Sequence, residues 1–360
     1  MTWLAEQLSR IADDVPERDL AAAALEVHQR RRRTFMALAA ATVVVVTVLA
    51  GTVGIRALPA RPEAAARPSG PPEQSVIRVG VVPSVESAPV YVALANGDFA
   101  AEGLTVKPML ITGPAAAVPL LESGALDLVQ TDYLTLFQAN EAGKKLKIVS
   151  GMHQAARGSA AIVVNTQSKI NAVRDLKGKR VAVPNLVGLG PLALASALKR
   201  DGLTLREDVL MVEKPYPEML KALHAGQVDA ALLAEPFVTM GRETGHIRIV
   251  QEVPAGDLAG LHAAGMSATE RWIRRNPRTL AAFHRALAKA QRRIGHDPQQ
   301  ARTVLPGYTK VSATVAERVT LGSYPTKLDL RKLQRLADLS RSHKMLRRPV
   351  DVTDALVKGR

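Results

Sequence analysis

From Val76 onward, short apolar runs rich in β-branched residues alternate with stretches whose apolar positions recur at helical spacing. Residues 76–82, 104–109, 126–130, 146–149, 160–164, 180–183, 209–212, 230–233 and 247–250 read as strands. Residues 89–96, 115–122, 134–141, 191–200 and 216–225 read as helices. This alternation predicts an α/β fold built on parallel sheets. At 360 residues the chain is long enough for two lobes with cores of their own.

One stretch, residues 178–191, concentrates the local signals. Arg180 to Val183 reads as a buried strand, and Pro184, which has no N–H to give to a ladder, ends it. A loop carrying Gly188 and Gly190 follows, and Pro191 opens a strong helix former that runs to Arg200. Strand, loop and helix start together leave backbone N–H groups free for a small anion or polar group. An ordinary strand-to-helix turn is the competing reading.

The chain also repeats itself. Arg78-Val79-Gly80-Val81-Val82-Pro83 resembles Arg180-Val181-Ala182-Val183-Pro184, and Ser123-Gly124-Ala125-Leu126-Asp127 resembles Ala225-Gly226-Gln227-Val228-Asp229. The spacing from each Pro to the following Asp is 44 residues in the first copy and 45 in the second. Each copy reads as strand, loop, helix, strand and helix, then a glycine C-cap before a strand with Asp near its start. Ligands of open α/β sheets bind beyond the carboxyl ends of the strands, so two like-built lobes predict a clamshell with a cleft between them.

Ahead of this body lies a different kind of sequence. Residues 1–33 carry helical apolar spacing and end in Arg30-Arg31-Arg32-Arg33. An uncharged run of 21 residues begins at Phe35 and ends at Ile55, enough to cross a bilayer. The arginines place its N-terminal side in the cytoplasm and the rest of the chain outside. A cleaved export signal competes with this retained anchor, because Arg32-Arg33 resembles a twin-arginine motif and Ala64-Ala65-Ala66 offers a cleavage site. Residues 58–75 read as a proline-rich linker, semi-rigid and able to span up to about 50 Å. The expected organisation is a cytoplasmic head at 1–33, a transmembrane helix at 34–57, the linker, a first lobe from 76–157 plus 264–360, and a second lobe from 158–263.

Composition narrows the chemistry. The chain has no cysteine, which removes disulfides, thiolate metal sites and cysteine nucleophiles. Its formal charge is +15, with much of the excess between Arg271 and Arg348, but aromatic residues are only 3%. Without a basic run interleaved with aromatics, no nucleic-acid partner is expected; a solvated basic surface is the simpler reading, with non-specific attraction to anionic lipid or wall polymers as the alternative. The eight histidines show no metal-ligand pairing, and neither a metal nor a cofactor is expected.

Several segments, in this order and spacing, resemble a known family. They are Ala88-Pro89-Val90-Tyr91-Val92-Ala93, Gly97-Asp98-Phe99-Ala100-Ala101-Glu102-Gly103-Leu104, the two glycine-to-aspartate motifs, Asp175-Leu176-Lys177-Gly178-Lys179-Arg180, and Glu235-Pro236-Phe237. The chain resembles the solute-binding proteins of ABC importers for nitrate, sulfonate and taurine, a family that includes binders of thiamine-pyrimidine precursors. The resemblance covers about residues 76–310. It implies a type II periplasmic-binding clamshell whose lobes are joined by two crossing segments. It also implies capture of a small-molecule ligand by lobe closure and delivery to an ABC permease. Matching loops place the ligand at Ser84, Val85, Thr112, Gly113, Thr131, Asp132, His153, Asn185, Gly188 and Glu235. Helix capping competes for Asp132 and Glu235, a turn for both glycines, and a structural role for His153. The second-lobe loop departs from the family in lacking a hydroxyl between Pro184 and Gly190, which weakens the case for sulfonate or nitrate. Asp132 and Glu235 together favour an amine or amidine instead, such as an aminosulfonate or an aminopyrimidine.

Two other classes compete. Gly188-Leu189-Gly190-Pro191-Leu192-Ala193 fits a dinucleotide-binding GxGxxA pattern, with Glu213 about where a ribose-binding acid would stand, but Pro191 falls inside it. No hydrolase or phosphate-loop motif appears, so an enzyme is not expected. A retained anchor with a cytoplasmic head would also suit a sensor that reports ligand occupancy to a partner inside.

Overall fold

The computed structural model describes residues 70–357, all within one compact unit that spans Ala66–Arg360. The head, the run from Phe35 to Ile55 and most of the linker lie outside the described residues. No helix among the described residues is long and apolar enough to cross a membrane.

Two five-stranded sheets form the body. The first contains β1 (Val76–Val81), β2 (Thr105–Leu110), β3 (Leu128–Asp132), β4 (Leu146–Gln154) and β10 (His262–Thr269), in the order β2-β1-β3-β10-β4. The second contains β5 (Ala160–Asn165), β6 (Lys179–Val183), β7 (Val209–Glu213), β8 (Ala230–Ala234) and β9 (Ile247–Val253), in the order β7-β6-β8-β5-β9. Positions 1, 2 and 3 of the repeat therefore occupy equivalent places in both sheets. The chain crosses from the first sheet to the second between β4 and β5 and returns between β9 and β10.

The expectation of parallel sheets needs correction. β1 pairs in parallel with β2 and β3, and β6 with β7 and β8, but β10 runs antiparallel to β3 and β4, and β5 antiparallel to β8 and β9. The antiparallel strands are the ones that enter each sheet from the other lobe, so they start at the edge where the parallel strands end.

The repeat is atomic in its detail. Asp127 accepts from the Arg78 backbone at 2.8 Å and from its Nε at 3.1 Å, while Arg78 Nη2 donates to the Gly124 carbonyl at 2.8 Å. Asp229 accepts from the Arg180 backbone at 2.8 Å and from its Nε at 3.1 Å, and Arg180 Nη2 donates to the Gly226 carbonyl at 2.8 Å. Each glycine has positive φ, 76° and 64°, and so can turn the chain from helix into strand without side-chain strain. The predicted repeat is thus a structural clamp, tying the strand start to the helix end in each lobe.

Helices cover the sheets. They are α1 (Ala88–Ala95), α2 (Asp98–Ala101), α3 (Pro114–Ser123) and α4 (Tyr133–Glu141) in the first half, and α5 (Leu189–Arg200), α6 (Tyr216–His224) and α7 (Phe237–Glu243) in the second. α8 (Glu270–Arg275), α9 (Pro277–His296), α10 (Gln299–Thr309), α11 (Ala313–Arg318) and α12 (Leu330–Ser342) complete the chain. α9 buries Leu280, Phe283, Leu287 and Ile294 against the first sheet's core, with Phe99 stacked on Phe283. Its start is capped from the linker end: Glu73 accepts from the N–H groups of Arg278 and Thr279 at 3.1 and 2.9 Å. α5 begins at Leu189, two residues before the expected opening at Pro191. Proline is tolerated there because the first-turn N–H groups have no intrahelical acceptor.

Candidate functional site

A cavity of about 120 Å³ lies where the two sheets' strand ends converge. The lower part of its wall comes from the first half: Val82 after β1, Glu86 in the short turn that follows, Gly113 and Pro114 after β2, and Asp132 ending β3. The opposite wall comes from Pro184, Asn185, Val187 and Leu189 after β6, Tyr216 after β7, and Leu232 and Ala234 of β8. The antiparallel strands add Ala160 and His262 near their starts. The cavity therefore sits beyond the carboxyl ends of the parallel strands, as the sheet rule requires. Wider hollows of about 590 and 670 Å³ exist, but residues 157–260 alone line the first and 165–229 the second.

Hydrogen bonds join the two halves around this cavity. The Leu189 N–H donates to Asp132 Oδ1 at 3.0 Å, the Gly188 N–H to Gln138 Oε1 at 2.9 Å, and the Val85 N–H to the Glu235 carbonyl at 3.2 Å. Away from the cavity wall, Arg318 donates to Glu243 at 2.7 Å. Two glycines make the approach possible. A Cβ on Gly188, where φ is 86°, would overlap Thr135 Oγ1 and Asp132, and a Cβ on Gly113 would overlap the Asn185 amide.

Asp132 supplies the polar group expected at the start of the 189–200 helix. Its Oδ1 accepts from Thr135 N at 2.9 Å, capping its own helix α4, and also from Leu189 N, the first residue of α5 in the other half. Oδ2 accepts from Thr135 Oγ1 at 2.6 Å. The helix-cap reading and the binding reading thus meet in one carboxylate, which acts as a latch between halves. Burial pushes this carboxyl up to about 6, against the pull of the Thr135 hydrogen bonds.

Of the ten residues expected at the ligand, the structure brings Val85, Gly113, Asp132, His153 and Asn185 to the cavity wall. Gly188 stands beside Asp132 at the junction but not in that wall. Ser84 is buried, its carbonyl taken by the Tyr308 hydroxyl at 3.0 Å. Thr112 is exposed. Thr131 is buried against the Ser267 hydroxyl. Glu235 is buried and accepts from Thr239 N and Oγ1 at 3.0 and 2.8 Å, so it caps α7 as a helix start. Burial raises its carboxyl above the usual range.

Glu86 was missed by sequence reasoning, as were Tyr216, Leu232 and His262. Glu86 keeps 27% of its side chain exposed, and it lines the cavity. Partial burial there weakens the hydration of its carboxylate and pushes it up to about 7, partly offset by the Gln130 amide, which donates to Oε2 at 2.8 Å. Opposite Oε1, at 3.7 Å, stands Nδ1 of His153. His153 Nε2 lies 2.7 Å from the Leu321 carbonyl, which can only accept, so Nε2 carries the proton and Nδ1 presents a lone pair. Burial holds His153 neutral, lowering it to about 4. His262 has the other tautomer: its Nε2 accepts from Asp329 N at 2.9 Å, which leaves the proton on Nδ1.

Two five-stranded sheets of one repeated order, crossed twice by the chain and closed on a cavity at their strand ends, define a periplasmic-binding-protein fold. The chain belongs to the NMT1/THI5-like family, whose pattern matches residues 84–301. It is similar to the riboflavin-binding protein RibY of Chloroflexus aurantiacus, at 27% identity over 63% of this chain and 64% of the relative. A putative aliphatic sulfonates-binding protein of Bacillus subtilis is 26% identical over 46% of this chain and 49% of its own length. The chain thus spans less than two thirds of either relative. Among solved structures, the alkanesulfonate-binding protein SsuA of Xanthomonas axonopodis pv. citri bound to MOPS superposes with a TM-score of 0.67 at 21% identity, covering 79% of this chain and 98% of that one. The nitrate-binding protein NrtA of Synechocystis PCC 6803 gives 0.65 at 15% identity, covering 79% and 85%. At these identities the likeness is one of fold.

Proposed function

We propose that this chain is an extracytoplasmic solute-binding protein that captures a small polar solute between two lobes and delivers it to an ABC importer. The observation that carries this reading is the cavity enclosed at the strand ends by hydrogen bonds between the two halves. Family membership and the names of the relatives, a riboflavin-binding protein and a putative aliphatic sulfonates-binding protein, support it. The candidate solutes are of the sulfonate, taurine and nitrate type or of the aminopyrimidine type. The lobes correspond to 76–157 plus 264–360 and to 158–263, and no catalytic step is assigned to either.

The proposal includes the membrane. The run from Phe35 to Ile55 anchors the chain in the lipid bilayer with its N-terminus in the cytoplasm, and the linker holds the binding body outside. The 33-residue head favours one second reading, a sensor that signals occupancy to a cytoplasmic partner.

A thermal-shift screen of the full chain in mild detergent tests the binding reading. The panel holds alkanesulfonates, taurine, nitrate, aminopyrimidines, riboflavin and nicotinamide dinucleotides. A solute at 100 times its dissociation constant adds about 2.7 kcal/mol, a rise of several degrees. A rise with a small solute supports a binding protein, and a rise with the dinucleotides alone contradicts it.

A further inference from the structure

Resting on that reading, we propose that Glu86 selects the solute, and that the solute is an uncharged or cationic molecule that gives an N–H or O–H donor to Glu86 Oε1, not an oxyanion. Four observations converge. First, Glu86 lines the cavity, and Oε2 is held by Gln130 while Oε1 accepts no hydrogen bond from any described residue. Second, Oε1 faces the bare Nδ1 of His153 at 3.7 Å, so with Glu86 ionised, as at pH 8, two acceptors confront each other and a donor brought by the solute is favoured there. Third, no lysine or arginine is among the residues lining the cavity, so an oxyanion would meet carboxylates without a side-chain cation. Fourth, the start of α5, where an anion would find free N–H groups, already holds the Asp132 carboxylate.

The remaining wall is largely apolar. Val82, Pro114, Pro184, Val187 and Leu232 make it apolar, and Tyr216 contributes its one phenol ring. A heterocycle with an N–H edge would bury its faces there and give its donor to Glu86 Oε1, the acceptor that no described residue satisfies.

The test compares the wild-type full chain with Glu86→Gln by isothermal titration calorimetry at pH 8. The probes are 4-amino-2-methylpyrimidine, riboflavin, methanesulfonate and nitrate. In Glu86→Gln the new amide oxygen can keep the Gln130 bond while its NH₂ donates to His153 Nδ1. Our expectation is that one heterocycle binds the wild type, that the variant binds it at least about tenfold more weakly, and that the solute-free variant melts higher than the wild type. A purely structural role for Glu86 would instead lower both melting temperature and affinity. Methanesulfonate or nitrate binding both proteins equally would overturn this inference and leave the binding-protein reading intact. So would a heterocycle bound equally by both. Absence of binding by all four probes would overturn the inference, and only silence across the whole earlier screen would count against the binding reading as well.

Discussion

The two lobes share a scaffold and differ in what they offer the cavity. Arg78–Asp127 and Arg180–Asp229 are the same clamp at nearly the same distances, and the strand orders coincide. Yet the loop after β1 delivers Glu86, and β3 and β4 add Asp132 and His153, so the first lobe brings acceptors. The loop after β6 is Pro184-Asn185-Leu186-Val187-Gly188, and the second lobe brings apolar surface and two backbone donors, Gly188 N and Leu189 N. The lesson is that the repeat preserves what holds each sheet together, while recognition lies in the loops where the copies diverge. Across the junction, Asp132 and Gln138 of the first lobe accept from Leu189 N and Gly188 N of the second, while Glu86 Oε1 and His153 Nδ1 stay without a partner from the described residues of the second lobe.

The strongest way to break this complementarity is at the junction. Gly188→Val places a branched side chain against Asp132 and Thr135 in a backbone conformation that suits glycine. If it holds the lobes open so that about 1% of molecules can close, solute affinity falls about 100-fold, measured by calorimetry.

Next comes the charge asymmetry. Glu86 is pushed up to about 7 from 4.5, and Asp132 to about 6 from 3.8. Both hold their proton more tightly folded than unfolded, so each contributes stability that is present below its ordinary value and lost as pH rises through the folded value. His153, lowered to about 4 from 6.5, acts in the opposite sense at acidic pH: folding holds it neutral while the unfolded chain takes up a proton. The difference between Glu86→Gln and wild type isolates the first of these. The variant gains little near pH 4.5 and about 2 kcal/mol at pH 8, measured by urea unfolding.

The smallest effect sharpens the likeness of the two clamps. Asp127 has 5% of its side chain exposed and Asp229 has 31%. Asp127→Ala is expected to cost about 2 kcal/mol and Asp229→Ala about 1 kcal/mol, because the arginines are about equally exposed while Asp127 is the more deeply buried carboxylate, its hydrogen bonds less screened by water. Equal losses would show that exposure does not set the difference.

Much of the scaffold was legible because its signals are local. Pro184 ends a strand, Gly124 and Gly226 end helices, and the β-branched runs at 76–82 and 180–183 mark the interior strands β1 and β6. The strand at His262–Thr269 was not read, since His-Ala-Ala-Gly-Met-Ser-Ala-Thr has little β-branched character and is fixed by pairing to β3 and β4 on both sides. At the cavity, Val85, Gly113 and Asn185 follow strands, and Asp132 and His153 stand at the ends of β3 and β4, which run on past the expected strand ends at 130 and 149; it was the family resemblance that marked these five. Glu86 could not, because a charged residue in a turn before a helix usually faces water. Its signal was its place directly after Ser84-Val85, the loop already marked for ligand contact. Tyr216 and His262 come to the wall through packing between segments 46 residues apart in sequence, which no local pattern records.

Closure around a solute is the central claim, and a distance measurement tests it most directly. The chain has no cysteine, so Ser123→Cys in the first lobe and Asp201→Cys in the second are unique labelling sites on exposed positions. Double electron–electron resonance between spin labels at these sites would be recorded with and without the solute that gives the largest thermal shift. The account predicts a broad distribution without solute that narrows to the shorter distance on saturation, and no such narrowing in Gly188→Val. An identical distribution with and without saturating solute in the wild type would contradict it.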